Sequence, residues 1–134
     1  MDSVMKMTDS NLFIDSSVWL AYFFGNHPDA VQILDQKNPT FFSSLLSLFE
    51  VKRRLIQENC STSQITDALS FMKERSIIIP LTEDLCLEAA QLSVNLKLPA
   101  IDALIYTSAK NNAALLVTSD GHFKGLENVR LVDR

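Results

Sequence analysis

Short runs of apolar residues, too uniform to alternate between water and core, constrain this chain more than any other feature. Leu12-Phe13-Ile14, Thr40-Phe41-Phe42, Ile77-Ile78-Ile79, Ala114-Leu115-Leu116-Val117 and Val129-Arg130-Leu131-Val132 read as strands, the last less clearly than the others. A strand of this kind must be covered on both faces, and parallel sheets flanked by helices provide that cover. The segments between the strands carry helical spacing. The expected fold is therefore α/β: a three-layer α/β/α sandwich around a parallel central sheet of four to five strands. With 134 residues, 47% hydrophobic and 21% charged, the chain suits one domain spanning 1–134. It contains no internal repeat, low-complexity tract or dividing linker.

Helix boundaries follow from capping chemistry. After Asp15, Ser16 and Ser17 open a helix through Trp19 and Phe24 that Gly25 closes. Pro28 suits the first turn of a second helix, which is expected to run to the break at Asn38-Pro39. Ser43 or Ser44, Ser61 or Thr62, Thr82 and Pro99 start the remaining helices. The aromatic cluster Trp19, Tyr22, Phe23 and Phe24 is expected to pack in the core rather than to stack on bases or form a dimer face.

Cys60 and Cys86 both fall in helical-looking stretches, which suggests reduced packing thiols and no disulfide scaffold. Met1 to Asn11 lacks the basic flank and apolar run of a signal peptide, so a cytoplasmic location is expected. No stretch approaches the roughly 18 apolar residues of a membrane span. The net charge of −4 speaks against nucleic acid at first sight. Yet if four of the 16 acids held metal, the remaining twelve would match the 12 basic residues.

Four acids carry the chemistry. Asp15 and Asp120 each follow a predicted strand, at the carboxyl rim where open parallel sheets bind ligands. Asp102 sits in the first turn after Pro99, where the helix dipole alone would justify a carboxylate. Glu50 lies among apolar neighbours in a helix, so it either pairs with Arg53 or Arg54 or serves a site. Oxygen donors without His or Cys suit hard cations such as Mg²⁺ or Mn²⁺. Such a site supports phosphoryl transfer without a covalent nucleophile. Three glycines and no G-x-G-x-x-G, Walker-type or G-x-S-x-G motif make a nucleotide cofactor or a serine hydrolase improbable.

The segments Leu12-Phe13-Ile14-Asp15-Ser16-Ser17, Leu48-Phe49-Glu50-Val51, Leu98 to Ile105 and Leu116 to Phe123 resemble, in order, the four acidic motifs of PIN-domain nucleases, above all the small VapC-like toxins. The third and fourth are the more specific. The resemblance implies a PIN fold, a Mg²⁺ or Mn²⁺ site, endonucleolytic cleavage of RNA, frequent homodimerisation and a VapB-like antitoxin partner. It carries the metal and catalytic roles to Asp15, Glu50, Asp102 and Asp120, and a bracing role to the hydroxyls of Thr118 and Ser16. One departure is His122, where some relatives have a further acid, which leaves a second metal position open.

Weaker features remain. His122 is expected at a surface or helix-start position rather than near the substrate, and Lys52-Arg53-Arg54 either contacts RNA phosphates or forms a solvated helix face. The alternatives to a ribonuclease toxin are a non-catalytic RNA-binding or scaffold module of the same fold, an RNA-processing nuclease without antitoxin, and a phosphatase or DNA nuclease using the same acids.

Overall fold

The computed structural model describes residues 10–25 and 27–133. Among them, strands β1 (Asn11–Ile14), β2 (Thr40–Ser44), β3 (Ile77–Ile79), β4 (Leu115–Thr118) and β5 (Val129–Leu131) form one sheet in the order β3-β2-β1-β4-β5. Every neighbouring pair is parallel. Helices α1 (Ser16–Phe24), α2 (Pro28–Leu34), α3 (Leu45–Gln57), α4 (Thr62–Arg75), α5 (Glu83–Leu96) and α6 (Ala100–Asn111) connect them, with a short 3₁₀ turn at Gly121–Phe123.

The apolar strands are split between two cores. Leu12, Ile14 and Val117 join Val18, Trp19, Val51 and Met72 of the α1–α4 layer, whereas Phe13 and Leu116 point the other way onto Ile105 and Ala109 of α6. Phe13, Ile14, Leu116 and Val117 are all fully buried, each worth about 1.5–3 kcal/mol. This is the three-layer α/β/α sandwich expected from strands with no face left for water.

Local chemistry sets the boundaries. Gly25 closes α1 in the left-handed conformation (φ 67°), its N–H donating to Ala21 and Tyr22 carbonyls. Ser44 and Thr82 cap α3 and α5, and Ser61 with Gln64 forms a reciprocal capping box on α4. Trp19 stacks on Phe23, and Tyr22 on Phe71, as core packing predicts.

Some expectations need correcting. α2 stops at Leu34 rather than at Asn38-Pro39: the Asp35 N–H still bonds the Val31 carbonyl four residues back, but the Gln36 N–H turns to Ile33, three residues back, in a tightened last turn that closes the helix. Phe24 leaves the aromatic core: at the end of α1 it is 40% exposed. Cys60 lies between α3 and α4, not within a helix, and Cys86 is exposed on α5 rather than packed. At the sheet edges, with one neighbour each, Ile77 and Leu131 stay 53% and 42% exposed. Among the described residues no helix is long and apolar enough to cross a membrane. The expectation for the chain start lies, up to residue 9, outside the described residues.

Candidate functional site

Strand order places the site. From β1 the sheet grows through β2 and β3 on one side and through β4 and β5 on the other, so the connections diverge between β1 and β4. At such a switch point the carboxyl ends of the strands open into a crevice. Here that crevice is a cavity of about 360 Å³, and Asp15, Glu50, Asp102 and Asp120 all line it. Ser16 and Ser17 from the start of α1 line it as well, as do Arg54, Phe24 and Ile101.

Asp15 is the buried acid of the set, 7% exposed, and its position at the start of α1 does not make it a cap: no side-chain capping bond forms. Its Oδ2 instead accepts from Thr118 Oγ1 at 2.8 Å and from Ser17 Oγ at 2.9 Å. Thr118, fully buried, uses the same oxygen to accept from the Asp120 N–H at 3.0 Å. Ser17 Oγ likewise accepts from the Ser119 N–H at 3.1 Å. Two hydroxyls therefore tie the end of β1 to the end of β4. The bracing role expected of Thr118 has this geometric counterpart, and Ser17 is a partner that sequence reasoning overlooked. Its signal was a hydroxyl two residues past Asp15, at a helix start.

Glu50 resolves differently from a helix-surface ion pair. Ser16 Oγ donates to its Oε1 at 3.0 Å, while Arg54 pairs with Glu58 one turn later at 3.2 Å. Arg53 is near enough to favour the Glu50 carboxylate, but Lys52 and Arg53 are exposed and stand outside the cavity lining. Asp102 stands in the first turn of α6, whose N-cap position is Pro99. It turns to His122, whose Nδ1 lies 2.8 Å from Asp102 Oδ2 and 3.3 Å from Asp120 Oδ1. His122 thus does sit in a surface turn, as expected, yet its ring reaches two of the acids. Asp133, beyond β5, also borders the cavity, and the sequence offered no signal for it.

The electrostatics match a crowded anionic site. Burial pushes the Asp15 carboxyl above its usual range, against the Thr118 and Ser17 hydrogen bonds, and Asp120 adds repulsion. Burial likewise raises Glu50, with further repulsion from Asp15 and Asp102 against the pull of Ser16 and Arg53. Asp102 is raised by burial and by Asp120 and Asp15, and lowered by His122. A divalent cation would offset all three costs. The donor set, carboxylate oxygens with one imidazole nitrogen, fits such an ion.

A parallel α/β/α domain with a carboxylate crevice at its switch point defines a class of proteins rather than an activity. Within that class the particular family is clear: residues 12–128 match the PIN domain, and the chain belongs to the PIN-domain family. A toxin-antitoxin complex from Klebsiella pneumoniae contains a chain with a TM-score of 0.79 at 21% identity, covering 92% of this chain and 99% of that one. VapBC2 from Rickettsia felis, bound to a DNA fragment from its promoter, has a TM-score of 0.72 at 20% identity over 92% and 98%. The Mycobacterium tuberculosis VapC20, a sarcin-ricin loop cleaving toxin, has 0.71 at 19% over 92% and 98%. These likenesses establish the fold. No functionally curated sequence matches significantly.

Proposed function

We propose that this chain is a single PIN nuclease domain, a divalent-metal-dependent endoribonuclease that cleaves RNA phosphodiester bonds in the cytoplasm as the toxin of a toxin-antitoxin pair. The observation that carries the reading is the convergence of Asp15, Glu50, Asp102 and Asp120 on one cavity at the sheet's switch point. Asp15, Asp102, Asp120 and Glu50 would hold Mg²⁺ or Mn²⁺. When bound, the cation polarises the phosphodiester, activates water and stabilises the departing oxyanion.

The chain's own residues supply position and proton handling. Thr118 and Ser17 fix Asp15 Oδ2, so this carboxylate need not reorganise as substrate binds. Ser16 orients Glu50, whose carboxylate would take a proton from the attacking water. Water oxygen forms the new bond to phosphorus, and the ribose oxygen leaves with a proton from solvent. Arg54, at the cavity wall, and the neighbouring Lys52 and Arg53 on α3 would attract the phosphate backbone.

A VapB-like antitoxin and a second copy of the chain are the proposed protein partners. The antitoxin reading draws its support from neighbours solved in toxin-antitoxin complexes, including VapBC-1 of nontypeable Haemophilus influenzae. To test the activity, purified protein is incubated with Mn²⁺ and labelled single-stranded RNA, DNA or a phosphomonoester. Internal cutting of RNA alone, abolished by EDTA and restored by Mn²⁺ or Mg²⁺, is the expected result. Cleavage undiminished in excess EDTA would remove the metal from the mechanism. Turnover confined to DNA or to the phosphomonoester would change the substrate.

A further inference from the structure

We propose that His122 is a nitrogen ligand in the metal site, and that it biases this site away from Mg²⁺ toward Mn²⁺ and softer divalent ions. The inference rests on the metal-dependent reading above and deepens it.

Its basis is geometric. In an octahedral site with bonds of about 2.1 Å, adjacent donor atoms stand about 3.0 Å apart and opposite ones about 4.2 Å. His122 Nδ1 lies 2.8 Å from Asp102 Oδ2 and 3.3 Å from Asp120 Oδ1, both near the adjacent-donor spacing. One donor atom from each of the three side chains falls within 4.8 Å of the other two. The imidazole is held at the carboxylates by a hydrogen bond or ion pair between Nδ1 and Asp102 Oδ2, a contact that a shared cation would replace. The His122 side chain is 63% exposed, with open solvent available, yet Nδ1 faces the two carboxylates. Asp120 also holds the turn, accepting the His122 backbone N–H at 2.9 Å, so the ring is anchored on the residue it would share a cation with.

On binding, Nδ1 releases any proton to solvent and presents its lone pair. Imidazole discriminates among cations more than carboxylate does: it adds little for Mg²⁺, more for Mn²⁺, and progressively more along the series to Co²⁺ and Ni²⁺. A fully carboxylate site follows the same order with a shallower gradient.

The test uses the full-length protein and its H122D and H122N variants. Pulsed electron paramagnetic resonance of the Mn²⁺ complex detects a coordinated imidazole through ¹⁴N modulation, independently of turnover. Calorimetric titration with Mn²⁺ and with Mg²⁺ gives the preference. We expect ¹⁴N modulation in the wild type and none in either variant, with the Mn²⁺-to-Mg²⁺ affinity ratio falling about tenfold or more in H122D. His27, which also borders the cavity, is the internal control. Modulation that persists in H122N would assign the nitrogen elsewhere and overturn the proposal, and Mn²⁺ bound with no nitrogen signal in the wild type would overturn it while leaving the metal site standing. An unchanged ratio in H122D would overturn the selectivity. Failure of the wild type to bind either ion would overturn the metal-dependent reading itself, and this proposal with it.

Discussion

Replacing Thr118 by valine keeps the shape of a fully buried side chain and deletes a single oxygen. That oxygen donates to Asp15 Oδ2 and accepts from the Asp120 N–H. A hydrogen bond to a charged group contributes about 1.5–3 kcal/mol net, and a stranded polar partner adds roughly 1 kcal/mol more, less where water reaches it. Ser17 still holds Asp15, and Asp120 lies at the cavity edge, so a total near 2–4 kcal/mol is expected. At about 2.1 cal/mol/K per residue, 134 residues give an unfolding entropy of about 0.28 kcal/mol/K. Thr118→Val should therefore lower Tm by about 7–14 °C in EDTA. Mn²⁺ affinity should fall too, by about tenfold or more, because Asp15 loses an orienting donor and a bond that holds its pKa down. Thr118→Ser keeps the hydroxyl and should retain the metal affinity. Calorimetric melts and Mn²⁺ titrations of the three proteins measure both effects. If Thr118→Val melts within about 2 °C of wild type and binds Mn²⁺ equally well, the reasoning that makes Thr118 the tie between the two acids is wrong.

Other perturbations probe the same site from different directions. Asp102→Asn removes one charge from a repelling set, so the metal-free variant should melt at or above wild type, while Mn²⁺ narrows or reverses the order and RNA cleavage falls by orders of magnitude; a large metal-free loss of stability with activity retained would make Asp102 an ordinary first-turn residue. The folded-state pKa values of Asp15, Glu50 and Asp102 are raised, so their contribution to stability is fully present below the ordinary carboxylate values near 4 and is lost as pH rises through the raised ones. Melts in EDTA should accordingly climb as pH drops from 7.5 toward 4.5, and a flat or falling profile would contradict those shifts. Phe49 and Ile56 on α3 and Leu87 and Val94 on α5 are all more than half exposed, and sedimentation at tens of micromolar is expected to show a species heavier than 15.0 kDa; a monomer alone would count against self-association.

Sequence reading recovered what depends on local pattern. Apolar runs located the strands, capping residues located most helix starts, and acids just past Ile14 and Thr118 pointed to the carboxyl rim. Strand order was not legible, because periodicity reports which faces are buried and not which strands are neighbours. Only the pairing of β1 with β4 brings Asp15 beside Thr118 and Asp120. The partner of Glu50 was equally hidden: Arg54 had two acids at helical spacing and pairs with Glu58, leaving Glu50 to a serine 34 positions earlier. The reach of His122 depends on how the turn after β4 faces the start of α6, which no local rule sets.

Of the two hydroxyls that hold Asp15, Ser17 is two positions away and Thr118, the one from β4, comes 103 positions later. During synthesis the first residues leave the ribosome long before β4 exists, and β1 can pair with β2 while its other edge stays open. Closing so long a loop is slow, and an unpaired apolar strand is prone to join the wrong neighbour in the meantime. The same delay carries a safeguard. Fragments that end before β4 lack both Asp120 and the Thr118 hydroxyl that joins Asp15 to β4, so aborted translation products of a candidate RNA-cutting protein are born without a complete site.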